Sequence, residues 1–384
     1  MNEFISKIKN SASMELMAKA QEMKARGLDI IGLGGGEPDF DTPDAIKKKA
    51  IEEIERGNTH YAIGKGILKL RERISEKLNK ENNINVSPDE VIVTPGGKMA
   101  IYLAVDSLIN VGDEVMVLNP AWVSYDEIVV LAGGVPVNVP LDSAENYKIT
   151  EEILEKYVSE ATRAIIINSP NNPTGRVIDQ DEFMCIKRFV LKHDLKIISD
   201  EIYEKIVFDG HKVLSPASDS ELRDRTVTVN GFSKGYAMTG WRLGYLASDI
   251  NMINTIMKIY THTITGTSPF IQEAAVVALD CAEDCERMRQ EYEYRRNRFV
   301  GLLKQIKGVD VKMPEGAFYA WAKIDYQGMK SYEIADLLLH KAHVIGVPGQ
   351  AYGFSGDNYI RFSFANSLDD LNEAAKRIKN ALEF

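Results

Sequence analysis

Short β-branched runs recur along the first two thirds of the chain, with helical patterns between them, and this alternation constrains the fold more than any other feature. Residues 91–94, 114–118, 135–139, 164–168, 196–199, 226–229 and 243–247 read as strands, while 99–109 and 180–193 carry helical periodicity. Strands separated by helices bury both faces of a sheet, so an α/β domain around a largely parallel sheet is expected. After about Pro269 the character changes. One long charged helix is expected over 272–305, followed by a mixed segment with elements at 317–323, 332–340 and 359–364. An amphipathic helix over 14–26 should stop at Gly27. The chain has 384 residues, more than a typical domain of about 100–200, which suits a large α/β domain with a smaller α+β one.

The formal net charge is −10, spread along the chain. General attraction to nucleic acid or an anionic membrane is therefore not expected, and any bound anion needs a local site. Three cysteines, Cys185, Cys281 and Cys285, do not make a disulfide framework and point to a reducing, cytoplasmic setting. Cys281 and Cys285 lack the short hook of zinc sites and have no histidine neighbour, so no metal is expected. No apolar run is long enough for a membrane span.

In open α/β sheets, ligands sit beyond the carboxyl ends of the strands. The first expected strand runs into Pro95-Gly96-Gly97-Lys98 and then a helix. Glycines there let backbone N–H groups approach an anion, and a helix N-terminus favours negative charge. Met99 stands where a Walker loop needs Ser or Thr, so this is not a nucleotide loop of that kind. The strand at 196–199 ends in Asp200, with Tyr203 close behind, and the strand at 164–168 leads into Asn171-Asn172-Pro173-Thr174-Gly175. The strand at 226–229 leads to Ser233-Lys234, with Arg242 further on. A lysine near an arginine and a phosphate site can be an imine-forming amine.

Gly231-Phe232-Ser233-Lys234-Gly235 also fits the nucleophile elbow of α/β-hydrolases, with Ser233 as nucleophile and His262, His340 or His343 as base. The joint pattern favours the other reading. A hydrolase has no use for the Asn172 turn, the Asp200/Tyr203 pair, the glycine turn and Arg242 together. An aldehyde cofactor with a phosphate tail and a protonated pyridine uses them all.

With these residues assembled, the chain resembles the class I aminotransferases of pyridoxal-phosphate fold type I, in the branch that includes bacterial and archaeal aspartate aminotransferases. The motifs run in order: Gly36-Glu37-Pro38-Asp39-Phe40, Tyr61-Ala62-Ile63-Gly64, Pro95-Gly96-Gly97-Lys98, Asn119-Pro120-Ala121-Trp122, Asn171-Asn172-Pro173-Thr174-Gly175, Ser199-Asp200-Glu201-Ile202-Tyr203, Ser233-Lys234, Gly240-Trp241-Arg242-Leu243-Gly244 and Tyr359-Ile360-Arg361-Phe362. The resemblance implies a large domain over 45–284 and a small one built from 1–44 and 285–384. It implies pyridoxal 5′-phosphate held by Lys234 as a Schiff base. Asp200 would pair with the ring nitrogen, Tyr203 and Asn172 would reach the phenolic oxygen, and Trp122 would stack on the ring. Gly96, Gly97, Lys98, Ser233 and Arg242 would surround the phosphate. Tyr61 would reach the phosphate of a neighbouring subunit in a homodimer with shared sites.

The resemblance further implies that Arg361 clamps the substrate α-carboxylate, with Gly36 and Asn172 close by and Trp122 against the substrate. Lys98, Ser11 and Ser13 match residues that recognise a distal carboxylate, so aspartate or glutamate, with 2-oxoglutarate as acceptor, is the first expectation. The amino group would pass through pyridoxamine phosphate by a ping-pong route. Alanine, aromatic or specialised amino acids, or a β-lyase reaction, are the alternatives on the same frame. One position departs from the pattern: Gly231 stands where the family often has a phosphate-binding hydroxyl, so Ser233 or a water takes the role or the phosphate has one bond fewer.

Overall fold

The computed structural model describes residues 8, 18–19, 21–23, 25–62 and 64–383. Ser11, Ser13 and, of the helix expected over 14–26, residues 14–17, 20 and 24 lie outside them. The described chain opens with β1 (Ile31–Gly32), α1 (Asp44–Glu55) and α2 (Leu68–Glu81). The central sheet then builds through β2 (Val91–Thr94), α3 (Gly97–Leu108), β3 (Glu114–Asn119), α4 (Ser124–Leu131), β4 (Val135–Pro140) and α5 (Glu151–Glu155). It continues through β5 (Thr162–Asn168), α6 (Gln180–Lys192), β6 (Lys196–Asp200), β7 (Thr226–Gly231) and β8 (Gly244–Ala247).

Seven strands lie in the order β2-β8-β7-β6-β5-β3-β4. All neighbours run parallel except β8, which is antiparallel to both β2 and β7. Side chains alternate across the sheet as strand geometry requires. On β5, Ala164 and Ile166 join one buried cluster, while Ile165 and Ile167 join another on the opposite face. Both faces are covered, which is why the strands read as continuous apolar runs rather than alternating ones.

Beyond the sheet come α7 (Ile250–Thr263), α8 (Pro269–Ala278) and α9 (Ala282–Leu303). The single helix expected over 272–305 is thus two. Backbone N–H groups of Asp280 and Cys281 close tight turns onto Val277 and Ala278, ending α8 without a proline or glycine to announce it. The two helices also serve different cores. Ala274, Ala275 and Ala278 pack with α1 and α2 against the central sheet, whereas Tyr292, Phe299 and Leu303 pack on a second sheet.

That second sheet is built from β9 (Val309–Val311), β10 (Tyr319–Ile324), then, after α10 (Ser331–Leu337) and β11 (Val344–Ile345), β12 (Val347–Pro348) and β13 (Tyr359–Ser363); α11 (Leu368–Leu382) ends the chain. It is antiparallel, in the order β12-β13-β10-β9. β1 pairs in parallel with β11, so the segment carrying Gly34 and Gly36 is tied to the C-terminal part. The fold is α/β with a mostly parallel central sheet and a separate antiparallel sheet domain.

Candidate active site

The carboxyl ends of β2, β5, β6 and β7 open on a cavity of about 390 Å³. Its wall brings together Gly36, Gly97, Lys98, Trp122, Asn172, Asp200, Tyr203, Ser233, Lys234, Arg242 and Arg361, residues as far apart in sequence as Gly36 and Arg361. Gly96 lies just behind, and Tyr61 stands elsewhere, 92% exposed.

Lys234 lies past the end of β7, and its Nζ donates to the carbonyl of Gly36. Burial pushes its pKa down to about 8; Glu37 resists this, while Arg361 and Arg242 add to it. The ammonium therefore loses its proton far more readily than an ordinary lysine does. Asp200, only 5% exposed, ends β6. Its Oδ2 accepts from the Tyr125 hydroxyl at 2.6 Å and its Oδ1 from the Ile202 N–H at 3.2 Å. Burial raises its pKa to about 6, while those two bonds and the charge of Lys234 hold it down. A cation placed against this carboxyl would keep it ionised.

Tyr203 and Tyr319 share a hydrogen bond of 2.8 Å between their hydroxyls. Burial raises the Tyr203 hydroxyl well above its usual range, so it stays protonated and can donate. Asn172 accepts from Arg361 Nη1 at 3.0 Å through its side chain, and its own N–H is fixed by Asn168 at 2.8 Å. Arg361, 4% exposed, also donates from Nη2 to Gly34 at 2.7 Å and lies over the Tyr319 ring at 4.2 Å. Its Nε is buried with no acceptor among the described residues. A buried guanidinium N–H left unpaired is costly, and a ligand carboxylate would satisfy it.

At the other side, α3 follows the N-cap residue Gly96, whose φ of +82° suits glycine, and no described side chain caps its first turn. Those N–H groups are available to an anion. A Cβ on Gly96 would come within 2.6 Å of Arg242 Nη2, so the missing side chain is what brings the guanidinium over the turn. Gly231 is equally enclosed: a Cβ there would lie 2.9 Å from the Cα of Gly244, and no hydroxyl-bearing side chain fits without displacing β8. Ser233 lines the cavity and Gly231 does not. Four cations, Lys98, Lys234, Arg242 and Arg361, face two carboxylates, Glu37 and Asp200, so the cavity is built for anionic ligands.

No histidine lines this cavity among the described residues. His340 stands beside Asp336 at 3.4 Å, His343 lies by a groove with Arg377, and His262 is on the exposed side of α7. Ser233 thus lacks the base that the hydrolase alternative requires.

A model of the family "Aminotransferase class I and II" matches residues 28–378. The "Probable aspartate/prephenate aminotransferase" of Aquifex aeolicus (strain VF5) is 42% identical, covering 99% of this chain and 98% of its own. "Aromatic-amino-acid aminotransferase 2" of Thermococcus litoralis is also 42% identical, over 94% and 93% of the two chains. The solved structure of the Thermus thermophilus aspartate aminotransferase with maleate superposes with a TM-score of 0.94 at 35% identity, covering 100% of this chain and 99% of that one.

The chain belongs to the class I and II aminotransferases. It is a transaminase, and its family uses pyridoxal 5′-phosphate.

The cavity fits that cofactor. The uncapped turn with Arg242 can take the phosphate, the buried Asp200 carboxyl can face a cationic ring nitrogen, and the Lys234 amine can reach an aldehyde. Sequence reasoning did not single out Tyr125, Tyr319, Glu37 or Thr239, which also line the wall. Tyr125 had a signal: it follows Trp122 by three residues at the start of α4, its N–H donates to the Trp122 carbonyl at 3.0 Å, and their rings meet edge-on at 5.3 Å. Tyr319 had none of that kind, since its partners Tyr203 and Arg361 are remote in sequence.

Proposed function

We propose that this aminotransferase moves the amino group of aspartate or glutamate to a 2-oxo acid such as 2-oxoglutarate by a ping-pong route. The observation that carries this is a pair of cations on one cavity wall. Arg361 offers a buried, incompletely paired guanidinium, and Lys98 has no carboxylate partner among the described residues. Burial and the charge of Arg242 push the Lys98 ammonium below its usual range, so it gains from a second carboxylate. Relatives named aspartate aminotransferase, one of them solved with the dicarboxylate maleate, support the same choice.

In this reading Lys234 holds the cofactor and then moves a proton from the substrate Cα, a task suited to an amine with a pKa near 8. Bound cofactor supplies an aldehyde that accepts the amino group and a protonated ring that draws electrons from the deprotonated carbon. Asp200 keeps the ring nitrogen protonated, with Tyr125 and the Ile202 N–H orienting its carboxylate. Tyr203 and Asn172 serve the phenolic oxygen, Trp122 the ring face, and the backbone N–H groups of Gly96, Gly97 and Lys98, with the Ser233 and Arg242 side chains, serve the phosphate. Gly36 and Asn172 border the α-carboxylate that Arg361 clamps.

Lys98→Met is expected to lower kcat/KM for aspartate about 100-fold, the loss typical of an unpaired charge, while changing that for phenylalanine less than about 3-fold. Equal losses for both substrates would remove Lys98 from the distal site. An aromatic preference is the second reading. Lys98 Nζ lies 5.0 Å from the Trp122 ring centroid, so it can rest on the aromatic face and leave Ile101 and Trp122 to an apolar side chain. The Thermococcus relative carries the matching name.

We also propose a homodimer, with large-domain residues 45–284 and small-domain residues 1–44 and 285–384 in each subunit. Tyr61, 92% exposed and not part of its own cavity wall, suits a role at the partner's phosphate. Light scattering should give twice the chain mass. Tyr61→Ala is expected to weaken cofactor binding about 10-fold, the worth of one charge-assisted hydrogen bond, without moving the melting temperature of the apoenzyme. A monomer with full activity would end this assignment. The three free, buried cysteines accord with a reducing, cytoplasmic setting.

A further inference from the structure

The turn that follows β6 sends its side chains to opposite sides. Asp200, Ile202 and Tyr203 line the cavity, whereas Glu201 turns away from it into the layer between the central sheet and α2. Glu201 is 1% exposed. Its Oε1 accepts from the Ser199 hydroxyl at 2.8 Å, and its Oε2 accepts from the Ser215 hydroxyl at 2.6 Å and from Asn82 Nδ2 at 3.4 Å. Asn82 also donates to Glu204 at 2.6 Å and accepts from Lys77 at 2.8 Å, and Lys77 pairs with Glu204. The turn is thereby tied at two points, Glu201 and Glu204, to the C-terminal end of α2.

This arrangement does more than fill space. Leaving a carboxylate buried is expensive unless its oxygens are fully bonded, and an apolar residue would pack there at less cost. A network of this kind instead specifies one geometry. Asp200 precedes Glu201 directly, and Tyr203 lies between the two anchored residues. We propose that Glu201 is a positioning residue: clamped by Ser199, Ser215 and Asn82, it fixes the turn from which Asp200 and Tyr203 project into the site. This rests on the roles of Asp200 and Tyr203 proposed above.

The electrostatics agree with that geometry. Burial and the charge of Glu204 raise the Glu201 carboxyl to about 7, while Ser215, Ser199 and Lys77 hold it down. Glu204, in spite of its burial, is kept below the ordinary range by Lys77 and Lys205. Tyr245 on β8, packed in the same layer as α2, feels Glu204, Glu201 and Glu81. Two carboxylates thus share the lysines of one cluster, and the group nearest Asp200 is the one held least firmly ionised.

The test compares Glu201→Ala, Glu201→Gln and Ser215→Ala with the wild-type holoenzyme. Glu201→Ala should lower kcat about 100-fold, the cost of a small misplacement of reacting groups, with KM for the amino acid within about 3-fold. It should raise the midpoint of the pH-dependent change in cofactor absorption by about half a unit or more, because a displaced Asp200 protonates the ring less well. Glu201→Gln, which keeps the shape and a hydrogen-bonding oxygen, should recover kcat to within about 5-fold of wild type. Should Glu201→Ala not fold, Ser215→Ala takes its place, with kcat lowered about 5-fold and the same direction of midpoint shift. Hydrogen exchange of the apoprotein should show faster opening at 199–206 in either variant. A variant that melts lower yet keeps wild-type kcat and absorption midpoint would overturn the proposal. The wild-type spectrum is a separate check: absence of any amino-acid-sensitive band there would instead overturn the roles given to Lys234 and Asp200.

Discussion

Lys234→Ala is expected to lower turnover by about 10,000-fold and to remove the amino-acid-sensitive absorption band, while the fold persists. General acid–base groups contribute up to about that factor, and Lys234 is given a second task in holding the cofactor. Among the described residues Lys234 makes one hydrogen bond, to the Gly36 carbonyl, and no ion pair within salt-bridge distance, so its loss leaves little of the scaffold unsatisfied. Spectral titration with aspartate, followed by single-turnover kinetics, measures both effects. A variant that still transaminates at more than a hundredth of the wild-type rate would remove Lys234 from the proton transfer.

The same residue has a consequence for stability with a defined sign. Its folded pKa is about 8 against 10.5 for a free lysine, so between those values the unfolded chain binds more protons than the folded one. Stability from this group therefore rises with pH through that window, and below about 8 the buried charge is a standing cost. Apo Lys234→Met should melt higher than apo wild type at pH 7, and the gap should narrow as pH approaches 10. A gap that does not change with pH would show that Lys234 is not held in a depressed state.

Asp200→Asn is the second large effect: kcat should fall about 100-fold to 1,000-fold, the range seen on losing one preorganised electrostatic group. The amide keeps the size of the carboxyl and can still accept from Tyr125, so packing should hold while the negative charge at the ring nitrogen is lost. KM for aspartate should change far less, because Arg361 and Lys98 lie elsewhere on the wall. Stopped-flow measurement of the first half-reaction separates the two constants. Equal losses in kcat and in substrate affinity would place Asp200 in substrate binding instead.

Much of this site was legible in the linear chain, and the reason is local. Strands announce themselves by β-branched runs, and ligand-binding residues follow at their ends. The Gly96-Gly97 turn, Asn172, Asp200, Lys234 and Arg242 could therefore be picked out before any fold was known. The order of nine short motifs carried the family and, with it, Arg361, which sits in a strand and would otherwise pass for a surface charge.

What the chain did not disclose depends on distance in sequence. The break at 279–281 lacks a glycine or proline, and only the packing of α8 and α9 on different sheets explains it. The exclusion of a side chain at Gly231 comes from Gly244 on the neighbouring antiparallel strand. Tyr125 reaches Asp200 from 75 residues away, and Asn82 reaches Glu201 from 119. Propensity and turn chemistry act within a few residues, so they determine which elements form and where reactive groups can stand. Hydrogen bonds across a sheet, and the charges that move the pKa of Lys234, Asp200 and Glu201, exist only once tertiary packing has expelled water and brought remote segments together.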